Sequence, residues 1–140
     1  MKFIFLTDQF YVDYAHYTEI AQKSERPYVQ LYVKVNDIDF AIPLRSNIKH
    51  NYVFWTNKAD RRGVDFSKTI VIEDKKYIDT TLKPYIRPDE YKTLIGKEYD
   101  VEQGLLNYIQ QYKEAKLNPN RNRNKKLLMF STLQYYEKYI

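Results

Sequence analysis

Arg45, Ser46, Asn47, Lys49 and His50 bring a guanidinium, a hydroxyl, an amide, an ammonium and an imidazole within a few residues of one another. Each donates hydrogen bonds of the kind a phosphate oxygen accepts, and the imidazole also moves a proton near neutral pH. They follow directly on an apolar run, Phe40-Ala41-Ile42-Pro43-Leu44, that reads as a strand ending near the proline. A phosphodiester held at such a strand end is also exposed to chemistry. RNA is cut without a metal when its own 2′-hydroxyl attacks the neighbouring phosphorus. The protein then supplies a base, an acid and positive charge for the pentacoordinate transition state. His50 is a candidate acid or base, Lys49 and Arg45 neutralise charge, and Ser46 and Asn47 orient the phosphate. The bland alternative is a solvated strand-to-loop junction that happens to be polar.

Other chemistries have weaker support. The chain contains no cysteine, which excludes disulfides, thiolate zinc sites and cysteine nucleophiles. His16, the only other histidine, sits in a tyrosine-rich stretch and reads as a packed or surface residue. Two isolated histidines give no transition-metal spacing, so no metal or other cofactor is expected. Asp65 with Glu73-Asp74-Lys75 faintly matches the carboxylate-and-lysine pattern of magnesium nucleases, but also reads as an ordinary charged turn. Three dispersed glycines cannot build a phosphate-cradling loop.

The chain carries 23 basic and 18 acidic residues, a net charge of +5, which suits a polyanionic partner without requiring one. Fifteen tyrosines, seven phenylalanines and one tryptophan offer stacking surfaces for unpaired bases, although most could equally fill a small core and its rim. Lys58, Arg61 and Arg62, and later Arg121, Arg123, Lys125 and Lys126, are candidate contacts to a phosphate backbone. No apolar run approaches the roughly 20 residues that cross a bilayer. A single domain over residues 1–140, located in the cytoplasm, is expected.

The elements that must position these groups are legible in outline. Lys2 to Leu6 reads as a short buried strand, and Thr7 as the cap of a helix carrying Phe10, Tyr14 and Tyr17. Tyr28 to Val35 and Ile38 to Leu44 read as a hairpin turning at Asn36-Asp37. Tyr52 to Thr56 and Thr69 to Glu73 are further strands, separated by a loop whose basic tip is Asp60-Arg61-Arg62-Gly63. Pro88 and Gly96 bracket a helix, and Asp100 caps the next, with Val101, Leu105, Tyr108, Ile109 and Tyr112 on one face. Asn118 to Asn124 breaks that helix, and Met129, Leu133, Tyr136 and Ile140 mark a last one. Early strands and late helices predict an α+β fold with a mostly antiparallel, barrel-like sheet.

Arg26-Pro27-Tyr28 opening a strand, Pro43-Leu44-Arg45-Ser46-Asn47-Ile48-Lys49-His50, and Gly63-Val64-Asp65-Phe66-Ser67-Lys68 together carry a family likeness. In them the chain resembles the toxins of type III toxin–antitoxin systems, the ToxN/AbiQ endoribonuclease family, and more closely its Cpt and Tenp branches. The likeness spans most of the chain; the later half matches in its helical, basic character rather than by motif. It implies a compact Kid/MazF-like α+β fold with a twisted, barrel-like antiparallel sheet flanked by helices. It implies a metal-independent endoribonuclease that leaves a 2′,3′-cyclic phosphate. A small structured repeat RNA would be cut from its precursor and then inhibit the enzyme within a closed RNA–protein assembly. Free toxin would cleave messenger RNA and arrest growth, in systems that commonly defend against phage. By the same resemblance Ser46 matches the active-site serine, Lys49 the lysine and Tyr28 the tyrosine after Arg-Pro, with Lys68 and Asn47 as substrate contacts. The ToxN branch places its lysine closer to the serine and a threonine where Arg45 stands, so Arg45 and His50 here share the work. The acid and base assignments stay open. A non-catalytic RNA-binding module using the same surface is the alternative.

Overall fold

The structure is a computed structural model that describes residues 1–22 and 27–140, so Arg26 of the Arg-Pro-Tyr motif lies outside the described residues. Strand β1 (Lys2–Leu6) is followed by helix α1 (Asp8–Asp13), whose first turn is closed by the Thr7 hydroxyl accepting from the Phe10 N–H at 3.2 Å. That cap is the one expected. The helix stops at Asp13, however, so Tyr14 and Tyr17 pack from the turns beyond it rather than from its face.

Strands β2 (Gln30–Val35) and β3 (Ile38–Arg45) form the expected hairpin. Asn36 and Asp37 both take positive φ, 52° and 63°, which are the signs a tight two-residue hairpin turn needs. Phe40, Ala41 and Ile42 are all buried. Because successive strand residues face opposite sides, β3 is covered on both faces and lies at the centre of the sheet.

β3 also runs past Pro43 to Arg45 rather than ending at the proline. The reason lies in the edge it shows. The Leu44 N–H donates to Val29 O at 2.9 Å on the β2 side, so Pro43 faces the opposite edge. There β6 (Ile70–Val71) pairs with Phe40 and Ala41, and β5 (Arg62–Asp65) pairs with Leu44 and Arg45. Between them the chain leaves the sheet in a 3-10 turn, Phe66–Lys68. Pro43 lies opposite that gap, where no ladder bond is lost.

Strand β4 (Val53–Asn57) pairs with β5, and β7 (Ile78–Asp79) with β1. Among the described residues the sheet has seven antiparallel strands in the order β4-β5-β3-β2-β1-β7, with β6 beside β3. The terminal strands of that order, β4 and β7, are not paired with each other, so this sheet is open. The Asp60–Gly63 segment is not wholly a loop as expected: Arg62 and Gly63 belong to β5. Gly63 is needed there, because a Cβ would lie 2.4 Å from Phe54 O and 2.6 Å from Val53 Cγ1. Gly63→Ala is therefore expected to prise β4 from β5 and cost about 1–3 kcal/mol of stability, the usual range for overpacking. Urea denaturation checks this, and an unchanged midpoint would show that the strands separate freely.

Helix α2 (Pro88–Leu94) starts at its proline and is followed by Gly96 at φ 76°, as expected. Helix α3 (Glu98–Leu117) begins three residues earlier than expected, with Lys97 as its cap residue and Asp100 inside the first turn. It docks by burying Val101, Leu105, Tyr108, Ile109 and Tyr112. Full burial of such a side chain contributes about 1.5–3 kcal/mol, so this stripe dominates the docking. Helix α4 (Asn122–Phe130) starts inside the Asn-rich segment, and Ser131 ends it. Leu133 and Tyr136 are buried from 3-10 turns that follow, while Met129 is exposed, so the expected last helix is displaced towards the N-terminus. Among the described residues no helix is long and apolar enough to cross a membrane.

Candidate active site

The interruption between β5 and β6 brings the polar groups together. Asp65, the last residue of β5, is fully buried and caps the 3-10 turn by accepting from the Ser67 N–H at 3.0 Å. The same oxygen, Oδ1, accepts from Ser67 Oγ at 2.6 Å and lies 3.2 Å from His50 Nε2. Oδ2 takes the Arg45 guanidinium at 2.7 Å, reaching across from the end of β3. Burial alone would raise the pKa of this carboxyl, but His50, Ser67 and Arg45 outweigh it and hold the pKa below the usual carboxylate value. Burial also works against the charge on Arg45, and the pairing with Asp65 and the neighbouring Tyr28 more than restores it. Arg45 therefore stays a fixed cation, with its guanidinium carbon 5.8 Å from the centre of the Tyr28 ring.

His50 is held from both sides. Its Nδ1 accepts the Tyr52 N–H at 3.0 Å, so in the neutral ring the proton sits on Nε2 and points to Asp65 and to Ser67 Oγ, 3.1 Å away. Ser67 is itself fully buried and gives its proton to Asp65. Serine, histidine and aspartate meet here, but not in the serial order that activates a serine nucleophile. They form a frame. That frame orients Arg45.

Lys68 closes the other side of the turn. Its ammonium donates to Phe130 O at 3.1 Å and lies 6.0 Å from the centre of the Phe130 ring, which in turn stacks on His50 at 5.8 Å. Burial pushes the pKa of Lys68 below the ordinary lysine value; Asp65 pulls it back up, and Arg45 pushes it further down. A lysine so placed gives up its proton more readily than one in water. Thr132, through its hydroxyl, clamps the backbone of the same turn at Ser67 O and Thr69 O.

No family model, curated protein or solved structure matches the chain.

The structure thus unites Tyr28, Arg45, His50 and Lys68, with Ser46, Asn47 and Lys49 exposed on the loop that leaves β3. Arg61 and Arg62 are placed differently. Arg61 turns inward, donating to Ile48 O at 2.9 Å and His50 O at 3.0 Å, and lies over Trp55 at 4.4 Å. It thereby fixes the loop that carries Lys49. Arg62 is engaged with Asp60 and Asp89, each at 3.2 Å. Arg121, Arg123 and Lys125 are exposed at the start of α4. Asp65 and Glu73 do not share a site: Glu73 accepts from Tyr14 and Tyr139. Among the described residues no three His, Cys, Asp or Glu side chains gather in a metal-binding group.

Asp65 as an anchor for Arg45 and His50, Ser67 beside it, and the Phe130 carbonyl were not anticipated. One signal was present: an aspartate followed two residues later by serine is the pattern of a side-chain-capped turn.

Proposed function

We propose that this protein is a sequence-selective, metal-independent endoribonuclease toxin of the type III toxin–antitoxin class. The observation that carries the reading is the pairing of a fixed cation, Arg45, with a lysine of depressed pKa, Lys68, around one buried carboxylate. That pair supplies what 2′-hydroxyl attack needs from a protein. In this reading Lys68 accepts the 2′-hydroxyl proton as the new bond to phosphorus forms. Arg45 balances the charge that builds on the phosphoryl oxygens. Ser46 and Asn47 hold the phosphate from the rim, Tyr28 backs Arg45, and Lys49 delivers a proton to the departing 5′-oxygen. The products are a 2′,3′-cyclic phosphate and a 5′-hydroxyl. His50 acts through Asp65 as a positioning residue.

The toxin class rests on the motifs around Pro43 to His50 and Gly63 to Lys68, and the rest of the reading follows from it. The fold would be of the Kid/MazF kind, with the open sheet curling towards a barrel. The partner would be a small structured repeat RNA, cut from its precursor and retained in a closed RNA–protein assembly. Messenger RNA in the cytoplasm would be the target of free toxin, and phage defence the purpose.

The test is cleavage of a labelled mixed-sequence RNA by purified protein in excess chelator, with the new ends analysed. Cyclic-phosphate ends are expected. Tight, salt-sensitive binding with no cleavage would replace the nuclease with an RNA-binding module. Cleavage that returns only with magnesium would overturn the proposed chemistry.

A further inference from the structure

Beside Tyr52 lies a groove of about 510 Å³ between β4, α3 and the start of α4, continuous through Tyr52, Gln111 and Arg123 with a second of about 440 Å³. Its lining is unlike that of the candidate active site. Tyr52 is half-buried and offers a ring, while Phe66 and Tyr108 make an apolar floor. α3 lies close over this floor at Gly104, where a Cβ would come within 2.7 Å of the Phe66 ring. Along the rim Asn107 and Gln111 stand one helical turn apart on α3, both exposed. Their side-chain amides form no hydrogen bond with any other described residue. Arg123 faces them, within a stretch from Asn118 to Phe130 that contains four basic residues and no acidic one. The second groove is edged by Glu114, which accepts from Gln110, and by Asn118, Asn122 and Asn124.

We infer that this groove receives an unpaired RNA base next to the bond being cut and sets the sequence preference of the enzyme, an inference that rests on the endoribonuclease reading. Phosphate asks only for donors. The edge of a base asks for a donor and an acceptor side by side, which is what a carboxamide presents. An aromatic face beside two such amides, with one cation for the adjoining phosphate, is the composition by which proteins read single-stranded RNA. Tyr52 links the two sites: its N–H holds His50, and its ring lies 5.6 Å from the His50 ring. A base stacked on Tyr52 would therefore lie next to His50 and the groups gathered at Asp65.

The experiment compares wild type with the double variant Asn107→Ala, Gln111→Ala. Binding is measured by fluorescence anisotropy with 2′-O-methyl hexamers of adenylate, cytidylate and uridylate, which 2′-hydroxyl attack cannot cut. Base preference around the cut is read in parallel from a random-sequence RNA pool. Wild type is expected to favour one hexamer by about 10-fold or more, and the double variant to lose that preference. Equal binding of all three hexamers by wild type, or an unchanged preference in the variant, overturns the inference. Base-selective binding that the variant loses, in a protein that cuts no RNA, would keep the groove assignment and defeat the nuclease reading.

Discussion

Lys68→Met is expected to slow RNA cleavage by about 10²–10⁴-fold, the span associated with losing a positioned proton acceptor. Methionine is unbranched, one atom shorter than the lysine side chain, and uncharged. It forfeits the charged bond to Phe130 O, worth about 1.5–3 kcal/mol. The pH profile gives the sharper readout. A base must be deprotonated to act, so the rate rises with pH through the pKa of Lys68. Burial lowers that pKa, and the rising limb of the wild-type profile should lie below the value of about 10.4 of a free lysine. Lys68→Met should lack that limb. Lys68→Arg separates charge from proton transfer: it keeps the cation but cannot accept the proton near neutral pH. Near-normal cleavage by Lys68→Met would remove this residue from the chemistry.

Asp65→Asn should be the most damaging conservative change to the fold, costing about 3–5 kcal/mol as a buried ion pair loses one partner. Asparagine has nearly the same shape but leaves the Arg45 charge unbalanced and replaces one acceptor oxygen with a donor. His50 and Ser67 then compete for what remains. The effect has a pH signature. Asp65 has a folded-state pKa below its unfolded value, so its ionisation stabilises the fold fully above about pH 4. That contribution disappears as pH falls through the lowered folded value. The gap between wild type and Asp65→Asn in urea denaturation should be widest at neutral pH and narrow as the solution becomes acidic. A gap that stays constant with pH would mean that the charge on Asp65 contributes nothing to stability.

How far the sequence discloses the molecule depends on the range of the interaction. Thr7, the Asn36-Asp37 turn and the stripe from Val101 to Tyr112 are local devices, each set by residues within a turn or two. The structure bears all three out. Arg45 and Asp65 are twenty positions apart, and their meeting depends on β5 joining β3 in one register. No periodicity announces a strand as short as β5. Arg61 illustrates the same limit: its residue type suggests a solvated basic tip, yet its position at φ 54° turns it onto the carbonyls of Ile48 and His50. The displacement of the last helix has a similar origin. The side chains of Leu133 and Tyr136 repeat at a helical interval, but Ser131 breaks the backbone and caps a 3-10 turn instead.

The clamp on the 3-10 turn bears on when the proposed endoribonuclease would acquire its working environment during synthesis. Lys68 is tied to Phe130, and Ser67 and Thr69 to Thr132, across more than sixty intervening residues. During synthesis the turn leaves the ribosome well before the segment that locks it. Until that segment arrives, the backbone carbonyls at Ser67 and Thr69 lack their donor, and Lys68 lacks the carbonyl beside which it is desolvated. A growing chain would therefore carry every residue named in the motifs and still lack the environment that tunes them. In the proposed endoribonuclease, cleavage competence would await synthesis of the segment that carries Phe130 and Thr132.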